Sequence, residues 1–344
     1  MPFDPISYAK TDVRILEDGY IKLFKACDPK GLKVWTYARD LVYAGKLTWD
    51  DVVKFANDVK NADILAHEFN KNIYFTDDEI AFILNSANLA VDKAASILNS
   101  ANLAVDKGAS IFNSANITVD RVASIFNSAN ITSSKVRQIL LNPNLSAMRT
   151  AEIFAKLSNT RKNEIATYVD EFDTLNTDYW THREGTSQQV SNSAAYSGSS
   201  GLRLYYDTDK PYHTDVGHEF AVPRNEVIVE FYWRNTSSDT SDPDRGGLHI
   251  EPAFHETNIV VVRVHPDKID AQIEGATKTI SGSFTNVWKQ ITVVIKPDNT
   301  AAIAIDGVCE FSGTVTNTAG AVRLGIAGFS HEEHLDLFRI IEPS

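Results

Sequence analysis

Several things are scarce in this chain of 344 residues, and each scarcity excludes something. It has two cysteines, Cys27 and Cys309, one in each half, so a disulfide framework is excluded. No stretch reaches the roughly 18–20 apolar residues that a membrane-crossing helix needs, so no membrane insertion is expected. The opening Met-Pro-Phe-Asp-Pro-Ile-Ser-Tyr has neither a basic nor an apolar leader segment, so no secretory signal is expected. A glycine-rich phosphate loop and a nucleophile elbow are both absent. Positive charge is scarce after residue 165. Residues 1–165 hold 20 Lys and Arg against 19 Asp and Glu, whereas residues 166–344 hold 13 against 26. An acidic second half repels nucleic acid and tolerates neutral sugars, basic partners or Ca²⁺.

What is present changes character near residue 170. The first half is built on a repeat of fourteen residues. Residues 83–96 read Ile-Leu-Asn-Ser-Ala-Asn-Leu-Ala-Val-Asp-Lys-Ala-Ala-Ser, and residues 97–110 repeat them with one change, Ala94 to Gly108. Looser copies start at Ile111 and Ile125, degenerate ones lie near Ile139 and Phe75, and Leu47-Thr-Trp-Asp-Asp is an older relative. Fourteen is two heptads, but Asn-Ser-Ala-Asn in every unit breaks a continuous coiled coil, because Asn favours turns and helix ends. Thr118 and Thr132 suit helix N-caps, Asp120 suits a first turn, and Thr76 with Glu79 forms a capping box. Pro143 falls in a corner. The unit therefore reads as a helix of about nine or ten residues followed by a tight corner. Val119, Val122, Ala123, Ile125 and Phe126 form its apolar face, with Ile117 at the corner. Helices this short bury that face only by stacking, which predicts an α-solenoid over residues 1–165. In architecture it resembles armadillo and HEAT arrays with shorter units. Near-identical copies point to recent duplication, and so to a spacer or assembly surface.

From Phe172 the period becomes two. Candidate strands are 201–206, 216–220, 226–233, 247–252, 258–265, 268–274, 288–295, 300–305, 322–327 and 335–341, separated by Pro-, Asp- and Gly-containing turns. This predicts an antiparallel β-sandwich over 171–344. Phe172-Asp-Thr-Leu-Asn-Thr-Asp-Tyr-Trp180, Ser199-Ser-Gly-Leu-Arg-Leu204, Trp288-Lys-Gln-Ile-Thr-Val-Val-Ile295, Ile303-Ala-Ile-Asp-Gly307 and Leu335-Asp-Leu-Phe-Arg-Ile340 resemble the recurring strands of concanavalin A-like, laminin-G-like jelly rolls. The resemblance implies two curved antiparallel sheets and a sugar-binding face. The Glu-x-Asp-x-Glu strand of that superfamily's glucanases is missing, which speaks against hydrolysis.

Alternation within the strands separates inward from outward residues. Tyr232, His249, Glu251, Arg263 and His265 all point outward, and if their strands share a sheet they gather on one face suited to a sugar. Glu230 and Glu251 form a candidate glycosidase pair if their carboxyls converge. His331 and His334 are a weak metal motif, read as lying in a loop, and Asp242 with Asp244 could contribute to a Ca²⁺ site, although no cofactor is required. The sequons at Asn116, Asn130, Asn144 and Asn235 mean little without a secretion signal.

The opening Phe3-Asp-Pro-Ile-Ser-Tyr-Ala9 resembles the starts of some viral tail and particle-surface proteins. The expectation is therefore a non-enzymatic structural or attachment protein, oligomeric or built into a particle. It would carry a glycan- or surface-binding sandwich at a virion surface, or else be cytoplasmic. The alternatives are a carbohydrate-active hydrolase using Glu230 and Glu251, and an intracellular scaffold gripping peptides with its helices.

Overall fold

The computed structural model describes residues 38–343 apart from short stretches at 40–41, 44, 46, 59–61, 72–74, 185–187, 206–212, 239, 241–245, 254–255 and 328–331. Cys27, Asp242, Asp244, His331 and the opening residues 3–9 lie outside the described residues. The chain divides into two compact units, one up to Asn144 and one from Leu145.

The first unit stacks short helices: α1 (Trp49–Asp58), α2 (Ala62–Asn70), α3 (Asp77–Asn85), α4 (Val91–Asn99), α5 (Val105–Asn113), α6 (Val119–Asn127) and α7 (Ser133–Leu141). The expected caps are present. Thr118 and Thr132 accept from the backbone N–H three residues on, and Thr76 with Glu79 closes a capping box. Each helix packs on the second one along: α2 on α4, α3 on α5, α4 on α6, α5 on α7. The array therefore completes a turn every two units.

The repeated polar residues bond between turns. The corner residues Ser100, Ser114 and Ser128 donate to Asp63, Asp78 and Asp92 at 2.5, 2.5 and 2.7 Å, and Asn142 donates to Asp106 at 2.7 Å. A second ladder runs from the backbone N–H of Ala90, Ala104, Thr118 and Thr132 to the Oδ1 of Asn57, Asn70, Asn85 and Asn99. Arg121 donates to the carbonyl of Leu84 at the end of α3 and to those of Ser86 and Leu89 in the corner that follows it. The Asn-Ser-Ala-Asn signature therefore does two jobs: it turns the chain and ties the turn to the one below. Between the ladders, Val122, Ala123, Ile125, Phe126 and Ile117 are buried.

The second unit opens with α8 (Ala147–Lys156) and α9 (Asn159–Ile165), capped by Ser146 and Ser158. Among the described residues fifteen strands follow, all paired antiparallel along two sheets. Sheet A is eight-stranded. Its order is β13 (Val308–Thr314), β12 (Thr300–Ile305), β11 (Lys289–Ile295), β6 (Val227–Asn235), β15 (Glu332–Ile341), β4 (Gly201–Tyr205), β3 (Gln188–Ser191), with β1 (Tyr168–Asp170) also on β15. Sheet B is seven-stranded. Its order is β10 (Ala276–Ser281), β9 (Lys268–Ile273), β8 (Val260–Val264), β7 (Gly247–Glu251), β14 (Ala319–Ala327), β5 (His213–Arg224), β2 (His182–Glu184).

The strands alternate as a sandwich requires. Val227, Val229, Phe231 and Trp233 of β6 face Leu248 and Ile250 of β7, Val260, Val262 and Val264 of β8, and Val322 and Leu324 of β14 across one apolar core. Trp180 is fully buried in that core, and its indole N–H donates to Asp170 at 2.8 Å. Among the described residues no helix is long and apolar enough to cross a membrane.

Candidate functional site

The two outer faces of the sandwich are built differently. On sheet A, α8 packs across β11, β12 and β13, and α9 reaches β15. Under these helices sits a fully buried ion cluster. Glu230 of β6 accepts from Lys162 of α9 at 2.5 Å, from Gln290 of β11 at 2.6 Å, and from Arg339 of β15 at 2.6 Å. Arg339 also donates to Asn163 and Asn159 of α9 at 2.6 and 3.2 Å, and Lys162 donates to the Ala155 carbonyl at 3.0 Å. Burial lowers the Lys162 pKa, and the Glu230 carboxylate acts against that fall. Every oxygen of Glu230 is engaged. The group locks helices to sheet and is not available to a substrate.

Sheet B carries no comparable helix contact among the described residues. Its register places one transverse row on the outer face: Gln272 (β9), Val261 (β8), His249 (β7), Arg323 (β14), Gly217 (β5) and His182 (β2). At a strand spacing of about 4.8 Å, six strands make a row about 24 Å long. The neighbouring row runs Asp270, Arg263, Gly247, Gly325, Asp215. A Cβ at Gly247 would lie 1.9 Å from the Val262 carbonyl oxygen, and one at Gly325 would lie 2.6 Å from Asp215 Cβ. Neither position admits a side chain, so the middle of this row is bare backbone beside charged residues.

Arg323 is the hub. It donates from Nη2 to Glu251 Oε1 at 2.7 Å, and its Nη1 lies 3.5 Å from Asp215 Oδ2. Both carboxylates are buried, which fixes the guanidinium plane. His249 is also nearly buried, and its Nδ1 bonds Asn258 Oδ1 at 2.7 Å. With the carbonyl oxygen as acceptor, Nδ1 carries the proton and Nε2 is the basic nitrogen. At one margin His265 sits 3.2 Å from Asp270, which also pairs with Lys268 at 2.9 Å. At the other, His182 lies 3.2 Å from Glu219. Such a face presents fixed donors and acceptors suited to hydroxyls.

The structure brings His249, Glu251 and Arg263 onto this face, with His265 at its margin. It does not bring Tyr232 there. Tyr232 belongs to β6 of sheet A, where its ring stacks on Tyr196. Alternation shows which side of a strand a residue occupies but not which sheet takes the strand. The same fact removes the Glu230–Glu251 pair, because the two carboxylates lie on outer faces of different sheets with the apolar core between them. His334 is corrected too. It lies buried within β15, not in a loop, 2.6 Å from Glu332. Among the described residues no group of three His, Cys, Asp or Glu is placed to hold a metal.

Arg323, Asp215 and Gln272 were missed by sequence reasoning. The signal for Arg323 is local: it stands between Val322 and Leu324, both core residues, so alternation alone turns it outward.

No protein-family model and no curated protein matches the chain. Solved structures similar to it include an endo-β-1,4-glucuronan lyase from the fungus Trichoderma reesei, at 13% identity and TM-score 0.39, covering 52% of this chain and 96% of that one. A cellulose-induced protein, Cip1, is similar at 16% identity and TM-score 0.42, covering 51% and 97%. A family 7 alginate lyase, A1-II′, is similar at 10% identity and TM-score 0.36, covering 46% and 85%. Identities and scores this low speak for no particular activity. The expectation of a non-enzymatic chain is not upheld, because a β-sandwich architecture does not set a chain apart from enzymes.

Proposed function

We propose that this is a carbohydrate-active protein whose sandwich takes a polysaccharide across the outer face of sheet B. The observation that carries the reading is the helix-free row Gln272–His249–Arg323–His182 beside the bare Gly247–Gly325 backbone. A chain of sugars presents hydroxyls at its edges and lies along a surface, and the four polar members of this row, Gln272, His249, Arg323 and His182, are spaced to meet successive rings. In this reading His249, with its Nδ1 held by Asn258, is the group that would move a proton if the bound sugar is turned over. The helical array serves as a spacer, because a unit that bonds to its neighbouring turns can be duplicated without rebuilding a core.

The test is a binding screen of the full chain against neutral and uronate polysaccharides, with product chain ends followed in the same tubes. Arg263→Ala and His249→Ala should each weaken binding without lowering the melting temperature by more than a few degrees, and His249→Ala should abolish any turnover. Unchanged binding in both variants would sink the reading.

A further inference from the structure

A second cluster on the sandwich is built as carefully as the first and is used by nothing described so far. On sheet A, past Glu230, β6 continues with Tyr232 and Arg234, and β15 pairs Asp336 and His334 against them. The β15 register shifts between Asp336 and Arg339, and Leu337 takes φ +51°, a left-handed conformation that is costly for a residue with a branched side chain. Irregularities of this kind re-aim side chains. Here the one re-aimed is Asp336, whose Oδ2 accepts from the backbone N–H of Tyr196 and Ser197, both at 2.8 Å, while Oδ1 accepts from Leu337 N–H at 2.7 Å. The carboxylate is fully buried.

The consequence is a pinned loop. Tyr196, just past the 3-10 turn Asn192–Ala194, stacks on Tyr232 with ring centres 4.1 Å apart and stands edge-on to Trp288 at 5.5 Å. Arg234 lies over the Trp288 ring at 4.7 Å, and its guanidinium is held by Ser193 O and His334 Nδ1. Yet Tyr196 remains 45% exposed, and Val287, next to Trp288, 40%. A buried carboxylate and a strained residue thus hold in place an aromatic ring that stays half in water. Packing alone does not call for that.

We propose that Tyr196 and Trp288 form a second carbohydrate site, separate from the sheet B face, that stacks a pyranose ring of an uncharged oligosaccharide. The rings meet the apolar C–H face of a sugar. The outer-face row runs by register from Arg234 across buried His334 to Arg203 and Gln189, and the less buried members flank the rings with polar groups for the sugar hydroxyls. The uncharged class follows from how those cations are already engaged. Arg203 is paired with Glu332 at 2.6 Å and bonded to Gln189 at 3.2 Å, and Arg234 lies against Trp288 and His334.

The experiment is a titration of the full chain with cellohexaose and, separately, with a hexamer of β-1,4-linked glucuronate, read by tryptophan fluorescence and by calorimetry. The expected result is a fluorescence change with cellohexaose that Trp288→Phe removes. Tyr196→Ala should weaken binding by about tenfold, while Tyr196→Phe, which keeps the ring, should bind as the parent does. His249→Ala should leave this signal unmoved, so failure here and failure of the sheet B reading are separable. Equal binding by Tyr196→Ala and the parent, no binding of cellohexaose, or tighter binding of the glucuronate hexamer would each overturn the proposal.

Discussion

The outer faces of the sandwich hold the same ingredients in opposite arrangement. Under the helices of sheet A, one carboxylate, Glu230, sits between two cations, Lys162 and Arg339. On the outer face of sheet B, one cation, Arg323, sits between two buried carboxylates, Glu251 and Asp215. The first cluster joins elements far apart in sequence, a helix and two strands, and every group in it is satisfied internally. The second joins neighbouring strands of one sheet and carries no comparable helix contact among the described residues. A buried ion cluster is weak evidence of stabilisation in itself, because desolvation offsets the attraction between its members. Its position decides its meaning. Beneath α9 it fixes how the helix lies on the sheet; within sheet B it ties neighbouring strands and orients the Arg323 guanidinium.

The largest expected effect breaks the covered cluster. Glu230→Ala leaves Lys162 and Arg339 buried without their shared partner and should destabilise the sandwich by about 3–5 kcal/mol, measured by urea unfolding of the full chain through the fluorescence of buried Trp180 and Trp233. Arg323→Met should cost less, about 2–3 kcal/mol, since its contact to Asp215 is long at 3.5 Å, but it should weaken polysaccharide binding where Glu230→Gln does not.

Lys296 sharpens the comparison with pH. It is buried on the sheet A side near Glu226, and burial pulls its pKa from 10.5 down to about 7, with Glu226 opposing the shift. The unfolded chain therefore binds more protons between those two values. Stability should rise with pH from about 7 upward, and the penalty should be fully present below 7. Lys296→Met should stabilise the protein at neutral and lower pH and flatten that rise. The smallest effect lies in the helical unit. Ser128→Ala removes the bond to Asp92 between turns and the one its Oγ accepts from Asn130 N–H, and should cost about 1–2 kcal/mol.

Much of the architecture is legible in the sequence because it is local. The helix length, the caps at Thr76, Thr118 and Thr132, and the alternation of Val227, Val229, Phe231 and Trp233 all depend on neighbours a few residues away. What escaped is what depends on pairing over long separations. Nothing near Asn85 says that it will accept from Thr118 N–H a full turn later. Nothing in β6 says that it joins β11 and β15 while β7 joins β8 and β14, and this alone sends Tyr232 and His249 to different sheets. Glu230 looked like a catalytic acid because its two cationic partners come from residues 162 and 339.

The most direct test of the central claim is amide hydrogen exchange of the full chain, with and without the polysaccharide it binds best. The account predicts added protection in β7, β8 and β14 around His249, Arg263 and Arg323, and none under α8 and α9. Protection confined to β11–β13 or to the helical array, with sheet B unchanged, would contradict it.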